Sequence, residues 1–209
     1  MQRTESRDAA VTDRIRCFWL EPVERYELSL RRYTSSADTR EKCAASGYGY
    51  YNASAVLGQA GIEGCLMVRE GQPVHGDHWP HDDGRWPAKC ACGYTFVLGD
   101  EWQCNPDQLF KRSDNGELVT LRGAPAGAMY DAHWMMDSAN GYKRIDGVTL
   151  SVKTPGGDWC VDGPSYNEGK VSGPGWTRSG KIPDVTAQPS INFPGKYHGW
   201  LRDGWLIEC

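Results

Sequence analysis

Apolar residues recur at every second position through residues 15–33. In the run IRCFWLEPVERYELSLRRY, Tyr26, Leu28 and Leu30 fall on one face while Glu27, Ser29 and Arg31 fall on the other. That is the period of a half-buried strand, and Pro22 marks a bulge or a turn between two strands within it. Two further strand pairs carry clear connectors. Residues 148–153 and 158–162 flank Thr154-Pro155-Gly156-Gly157, and residues 197–201 and 205–208 flank Arg202-Asp203-Gly204. Gly and Asp tolerate the positive φ that tight hairpin turns demand. Residues 43–58 read as a loop leading into a short strand, and 90–96 as a knuckle and strand. Residues 34–42 and 163–180 read as loops, and 71–89, dense in His, Asp, Pro and Trp, as an ordered loop held by its own side chains. Helical period is nearly absent. The best candidate is residues 105–111, with Asn105 as cap and Pro106 in the first position. The pattern predicts a mainly β (β-rich α+β) chain of antiparallel hairpins, with long Gly/Pro/Trp-rich loops and at most short helices.

Composition sharpens this picture. A chain of 209 residues suits one domain and can bury a sizeable core without staples. The expected organisation is a mobile tail over 1–13 and a single β-rich domain over 14–209. The 25 Gly imply many turns, and the 9 Trp imply large flat apolar surfaces in the core or on a binding face. The net charge is −4 with no basic stripe, so binding to a nucleic-acid backbone is not expected. No apolar run is long enough to span a bilayer, and the polar N-terminal stretch does not read as a signal peptide.

The 8 Cys, without a secretion signal, favour reduced thiols or metal ligands over a disulfide framework. The most informative local signal is Cys90-Ala91-Cys92-Gly93-Tyr94. A Cys pair followed by Gly lets the chain wrap a metal, because the glycine turns tightly and amide N–H groups then point at thiolate sulfur. The spacing has one residue between the thiols where two are usual. A structural zinc needs four ligands. The further candidates are Cys43, Cys65, Cys104, His75, His78 and His81. The set expected is Cys90, Cys92, Cys43 and His81, within a knuckle spanning 43–104. Zinc held this way supplies folding free energy, on the order of 10 kcal/mol in small zinc modules. The alternatives are buried free thiols on opposite faces of a strand, and disulfides.

The segment His75-Gly76-Asp77-His78-Trp79-Pro80-His81-Asp82-Asp83 offers imidazoles and carboxylates at short spacing. It matches no metalloprotease helix. It reads as a polar loop with Asp-capped turns and Trp79 and Trp86 as anchors. The chain has no G-x-S-x-G and no phosphate-cradling loop. Asp131, His133 and Asp158 form no acid/base pair by spacing alone.

Several segments taken in order resemble a known family. They are His81-Asp82-Asp83 through Arg85-Trp86-Pro87, Cys90-Ala91-Cys92-Gly93-Tyr94 through Phe96, and Gly127-Ala128-Met129-Tyr130-Asp131-Ala132 through Trp134. Thr154-Pro155-Gly156-Gly157-Asp158-Trp159 through Asp162-Gly163-Pro164 and Tyr197-His198-Gly199-Trp200-Leu201 follow. Together they resemble conserved hypothetical proteins of tailed bacteriophages, most familiar from phages of actinobacteria. The resemblance covers about 15–205 and implies a phage origin but no particular activity. The Cys and His residues it leads one to expect within 167–190 are missing. The expected function is a non-enzymatic accessory protein that binds a protein partner of host or virion, either in the host cytoplasm or on the particle. The competing readings are a virion structural protein, as capsid decoration or tail component, and a small metal-dependent hydrolase or transferase using the 75–83 loop with Asp131 or His133.

Overall fold

A computed structural model describes residues 14–34, 43, 50–65, 68–69, 71–73, 79–137, 141–167 and 170–209. The expected tail over 1–13 and nearly all of the 34–42 loop lie outside the described residues. In chain order the strands are β1 (Arg14–Arg16), β2 (Phe18–Tyr33), β3 (Asn52–Gly61), β4 (Val68–Arg69), β5 (Gln72–Pro73), β6 (Glu101–Arg112), β7 (Leu118–Thr120) and β8 (Ala128–Asp131). They continue with β9 (Leu150–Thr154), β10 (Gly157–Cys160), β11 (Ser165–Asn167), β12 (Lys170–Gly173), β13 (Thr177–Lys181), β14 (Asp184–Phe193), β15 (Tyr197–Arg202) and β16 (Trp205–Glu208). Helical structure among the described residues is confined to short 3-10 turns at Ile62–Gly64 and His133–Asp137. The chain is therefore mainly β, as its period-two pattern demands.

The chain divides into two compact units. The first gathers the chain up to Glu21, Lys111–Glu117 and Gly123–Cys209. In it, β1, β16, β15, β14 and β13 form one sheet in that order, and β8 pairs with β9 and β9 with β10 in another. Their inward residues share one core. Val185, Ala187, Ile191, Leu201 and Leu206 come from the first sheet, and Met129, Leu150, Val152 and Trp159 from the second. Both predicted hairpins are here. The β9–β10 turn is tied by the Thr154 hydroxyl, which donates to the Gly157 carbonyl at 2.8 Å and accepts from the Gly156 N–H at 3.2 Å. The β15–β16 turn places Asp203 at φ +46°, which Asp accepts more readily than most residues. The 163–180 stretch is more regular than its composition suggests, because β11 and β12 form a small hairpin and β13 joins the five-stranded sheet.

A buried ion pair fastens this unit. Arg178 Nε lies 2.8 Å from one carboxylate oxygen of Asp162 and 3.1 Å from the other. The second oxygen also accepts the Leu150 N–H at 2.7 Å, and the Arg178 guanidinium donates to the Ile145 carbonyl at 2.8 Å.

The second unit comprises Pro22–Phe110 and Leu118–Arg122. Here β2 pairs antiparallel with β3 from Arg25↔Gly61 to Tyr33↔Asn52. The register slips between Leu28 and Ser29, so the bulge lies there rather than at Pro22. The strand assignment of β2 continues through Pro22, which falls outside the residues paired to β3. Residues 105–111 are strand within β6, not helix. A stretch that short closes few i→i−4 bonds and nucleates poorly, whereas β6 gains ladders from β2 and β7 on its two sides. The buried apolar residues described here fall into small separate groups. Tyr26 and Leu28 pack with Cys65, Leu30 with Trp86 and Cys104, and Phe96 with Cys43 and Cys90.

Candidate metal centre

Two cysteines separated by one residue point to opposite faces in a regular strand. Cys90 and Cys92 escape that geometry because they sit in a turn. The Gly93 N–H donates to the Cys90 carbonyl at 2.9 Å, and the Cys90 N–H donates to the Tyr94 carbonyl at 2.9 Å. Gly93 adopts φ +97°, a conformation that a side chain there would oppose. Outside the turn, Lys89 bridges to Thr95 and the Phe96 N–H donates to the Ala88 carbonyl. The result is a tight hairpin with both thiols at its tip. Cys43, far back in sequence, joins them. The sulfurs of Cys43, Cys90 and Cys92 all lie within 4.8 Å of one another, with Cys43 and Cys90 buried and Cys92 exposed.

The separation of Cys43 Sγ from Cys90 Sγ is 3.5 Å. Two thiolates at tetrahedral positions about 2.3 Å from a zinc stand about 3.8 Å apart, so the spacing suits a shared ion. Backbone donors serve the same end. Burial alone pushes the Cys90 thiol up. The N–H groups of Cys92 and Asn52, aided by the Cys43 and Cys92 thiols, outweigh it and bring Cys90 down to about 7. At Cys92 the Tyr94 N–H lowers the thiol, but burial and the two neighbouring cysteines raise it overall. The amides are thus aimed at sulfur, as the Cys-x-Cys-Gly sequence leads one to expect. These three cysteines form a donor set able to hold a metal ion.

The hairpin is braced from outside. Tyr94 stacks face to face on Tyr51 with ring centroids 4.0 Å apart. The Tyr94 hydroxyl donates to Asp100 at 3.2 Å, and the Val97 N–H donates to the same carboxylate at 2.7 Å. Arg32 spans from the Trp102 ring, 3.7 Å away, to the Val97 carbonyl at 2.7 Å. Asp100 and Arg32 were not foreseen from the sequence. Neither falls in a motif, and only the folded loop brings them to the hairpin.

The other sequence candidates are placed as follows. The His81 ring stacks on Trp102 at 4.7 Å and meets Trp86 edge-on, and it is not one of the three grouped donors. Cys65 and Cys104 are packed as small apolar residues, and burial raises both thiols. His75 and His78 lie outside the described residues. Asp83 closes its own turn, accepting from the Trp79 indole at 2.7 Å and from Arg85. Trp86 donates to the Pro80 carbonyl, so both indoles anchor this loop. Asp131 accepts from the Thr149 N–H and from Arg144, Asp158 pairs with Lys153, and His133 lies edge-on to Trp134. Those carboxylates are thus occupied in structural contacts.

Comparison with protein-family models, with curated proteins and with solved structures finds no match for the chain. Fold and site therefore define its class directly, as a mainly β protein with a three-thiol centre suited to a metal. Among the described residues no helix is long and apolar enough to cross a membrane.

Proposed function

We propose that this chain is a non-enzymatic binding module of a tailed bacteriophage, in which a structural zinc on Cys43, Cys90 and Cys92 holds a loop that engages a protein partner of host or virion. The convergence of three thiols with backbone N–H donors on sulfur carries the zinc assignment, since thiolate-rich sites select soft or borderline ions. A fourth donor completes the tetrahedron. A structural role fits the burial of Cys43 and Cys90 and the engagement of Asp100 by Tyr94 and Val97. The loop after the hairpin presents Val97 and Leu98 to solvent, Leu98 at 90 % exposure. Apolar side chains held outward on a pinned turn suit protein recognition. The phage assignment is supported by the ordered segments that resemble the phage family.

Elemental analysis of purified protein, with thiol counting before and after chelation, tests the metal. The expected result is one zinc per chain, with three thiols gaining reactivity on its removal. Replacement of Cys90 and Cys92 by serine is expected to lower the melting temperature. Absence of stoichiometric metal, with no change in melting, refutes the centre. Affinity capture from infected cells and proteomics of purified virions test the partner, with Leu98→Asp as the variant expected to lose it.

A further inference from the structure

The first unit contains a cleft that none of the preceding chemistry uses. Its volume is about 380 Å³, at the small end of the range for ligand sites. Trp159 and Trp176 meet at 5.3 Å with planes 73° apart, so one indole stands as wall to the other. Tyr142 and Tyr166 line it too, their hydroxyls 3.4 Å from each other, and Phe193 adds a further ring. Two close backbone approaches build this shape. The Tyr142 ring packs where a side chain on Gly163 would stand, 2.8 Å from the ring edge. Gly175, at φ +79°, lies so near the Gly163 carbonyl that a Cβ there would overlap it. That approach brings Trp176 over the cleft.

The polar groups in the described lining are few, and none is a cation. They include the Asp158 carboxylate, the Asn192 amide and the two phenol hydroxyls, and among the described residues no Lys or Arg lines the cleft. The lack of a cation argues against an anionic ligand. Asp158 already faces Lys153 at 3.2 Å, so its charge does not call for a cationic one. The Trp159 side chain, only 3 % exposed, keeps an indole N–H with no hydrogen-bond partner among the described residues. A buried donor of that kind is uncommon and asks for an explanation.

We propose that this cleft binds a neutral carbohydrate of one or two sugar rings. A pyranose presents a flat face of C–H groups, slightly positive, that stacks on the negative face of an indole or phenol ring. Its edge is a ring of hydroxyls, each both donor and acceptor, which suits a lining that holds both a carboxylate and an amide. Aromatic walls with a few convergent neutral-ligand contacts match that division. A proline-rich peptide also seeks aromatic surfaces but lies along an extended groove, and a compact cleft favours the sugar. The cleft shares no residue with the thiol centre, so the two proposals stand independently.

The test titrates the full-length chain with maltose, cellobiose, lactose and di-N-acetylchitobiose, and separately with decaproline, following tryptophan fluorescence and amide NMR shifts. Tyr166→Ala and Asn192→Ala are the variants, because both side chains are exposed and outside the core. The expected result is saturable binding of at least one disaccharide, weakened about tenfold or more by each variant with melting temperature unchanged. The proposal is overturned if none of the four sugars binds, if binding survives both substitutions, or if decaproline binds in their place.

Discussion

Replacing Asp162 by alanine probes the strongest polar contact of the first unit. The carboxylate and its partner Arg178 are 1 % and 4 % exposed, so neither can turn to water when the other is lost. Removing one member of such a pair costs about 3–5 kcal/mol, since the remaining charge stays buried without a counter-charge. The Leu150 N–H also loses its acceptor, and an orphaned buried donor costs about 1–3 kcal/mol. These penalties overlap, and a loss of about 4 kcal/mol is expected. That is a large share of the roughly 5–15 kcal/mol that holds a domain together. Urea unfolding followed by near-UV circular dichroism measures it. Asp162→Asn keeps an acceptor for Leu150 and is expected to lose clearly less. The double replacement Asp162→Leu with Arg178→Met removes both charges and is expected to recover much of the loss, because buried pairs exchange for apolar residues at small cost. A decrease below about 1 kcal/mol for Asp162→Ala, or a double variant as weak as the sum of its singles, refutes this account of the pair.

Two further outcomes follow from the same geometry. Burial holds the Cys17 thiol up at about 12 from its ordinary 9.0, and burial likewise brings Tyr197 to about 12 from 10.0. The folded chain keeps these groups protonated where the unfolded chain releases the proton, so their contribution to stability is level below pH 9 and falls as pH rises from 9 toward 12. Cys17→Ala is expected to make the fall above pH 9 shallower, the remainder coming from the buried thiols of Cys65, Cys104 and Cys160 and, from about pH 10, from the tyrosines; unfolding titrations that stay flat to pH 11 contradict this. Chelation is expected to loosen the second unit alone, with amide exchange in β3 and residues 89–96 rising about 100-fold while β9 and β14 keep their protection. Uniform deprotection of both units, or none, counts against a local clip.

What the sequence could reveal depended on how far apart the interacting residues stand. The β9–β10 and β15–β16 hairpins were legible because Thr154-Pro155-Gly156-Gly157 and Arg202-Asp203-Gly204 carry their turn chemistry within four residues. The knuckle was legible for the same reason, since Gly93 and the Cys92 and Tyr94 amides aimed at sulfur are adjacent in the chain, whereas the Asn52 amide that also meets Cys90 was not. Pro106 misled because its helix-starting preference is local, while the strand it joins is set by the ladders around β6. Asp162, in the turn after β10, and Arg178, in β13, sit 16 residues apart, and no spacing rule links them. The cleft collects residues from across 135–194, and the individual aromatics look like any core residue until the sheets assemble.

Cys43 shows what a metal would supply at the proposed centre. It meets Cys90 across a separation of 47 residues, and bringing such distant points together costs about 3 kcal/mol in chain entropy. In the first unit a single core spanning two sheets meets costs of that kind. In the second, the described apolar residues are divided among small groups, and in one of them two of the three buried members are Cys43 and Cys90 themselves. As neutral thiols they bury little more than a methyl-sized surface each, worth about 1 kcal/mol apiece, and leave the closure only partly offset. As thiolates on a shared ion they exceed it several-fold. The amides aimed at Cys90 suit a thiolate there, the form a metal takes, because a neutral thiol is a weak acceptor that rewards a hydrogen bond poorly.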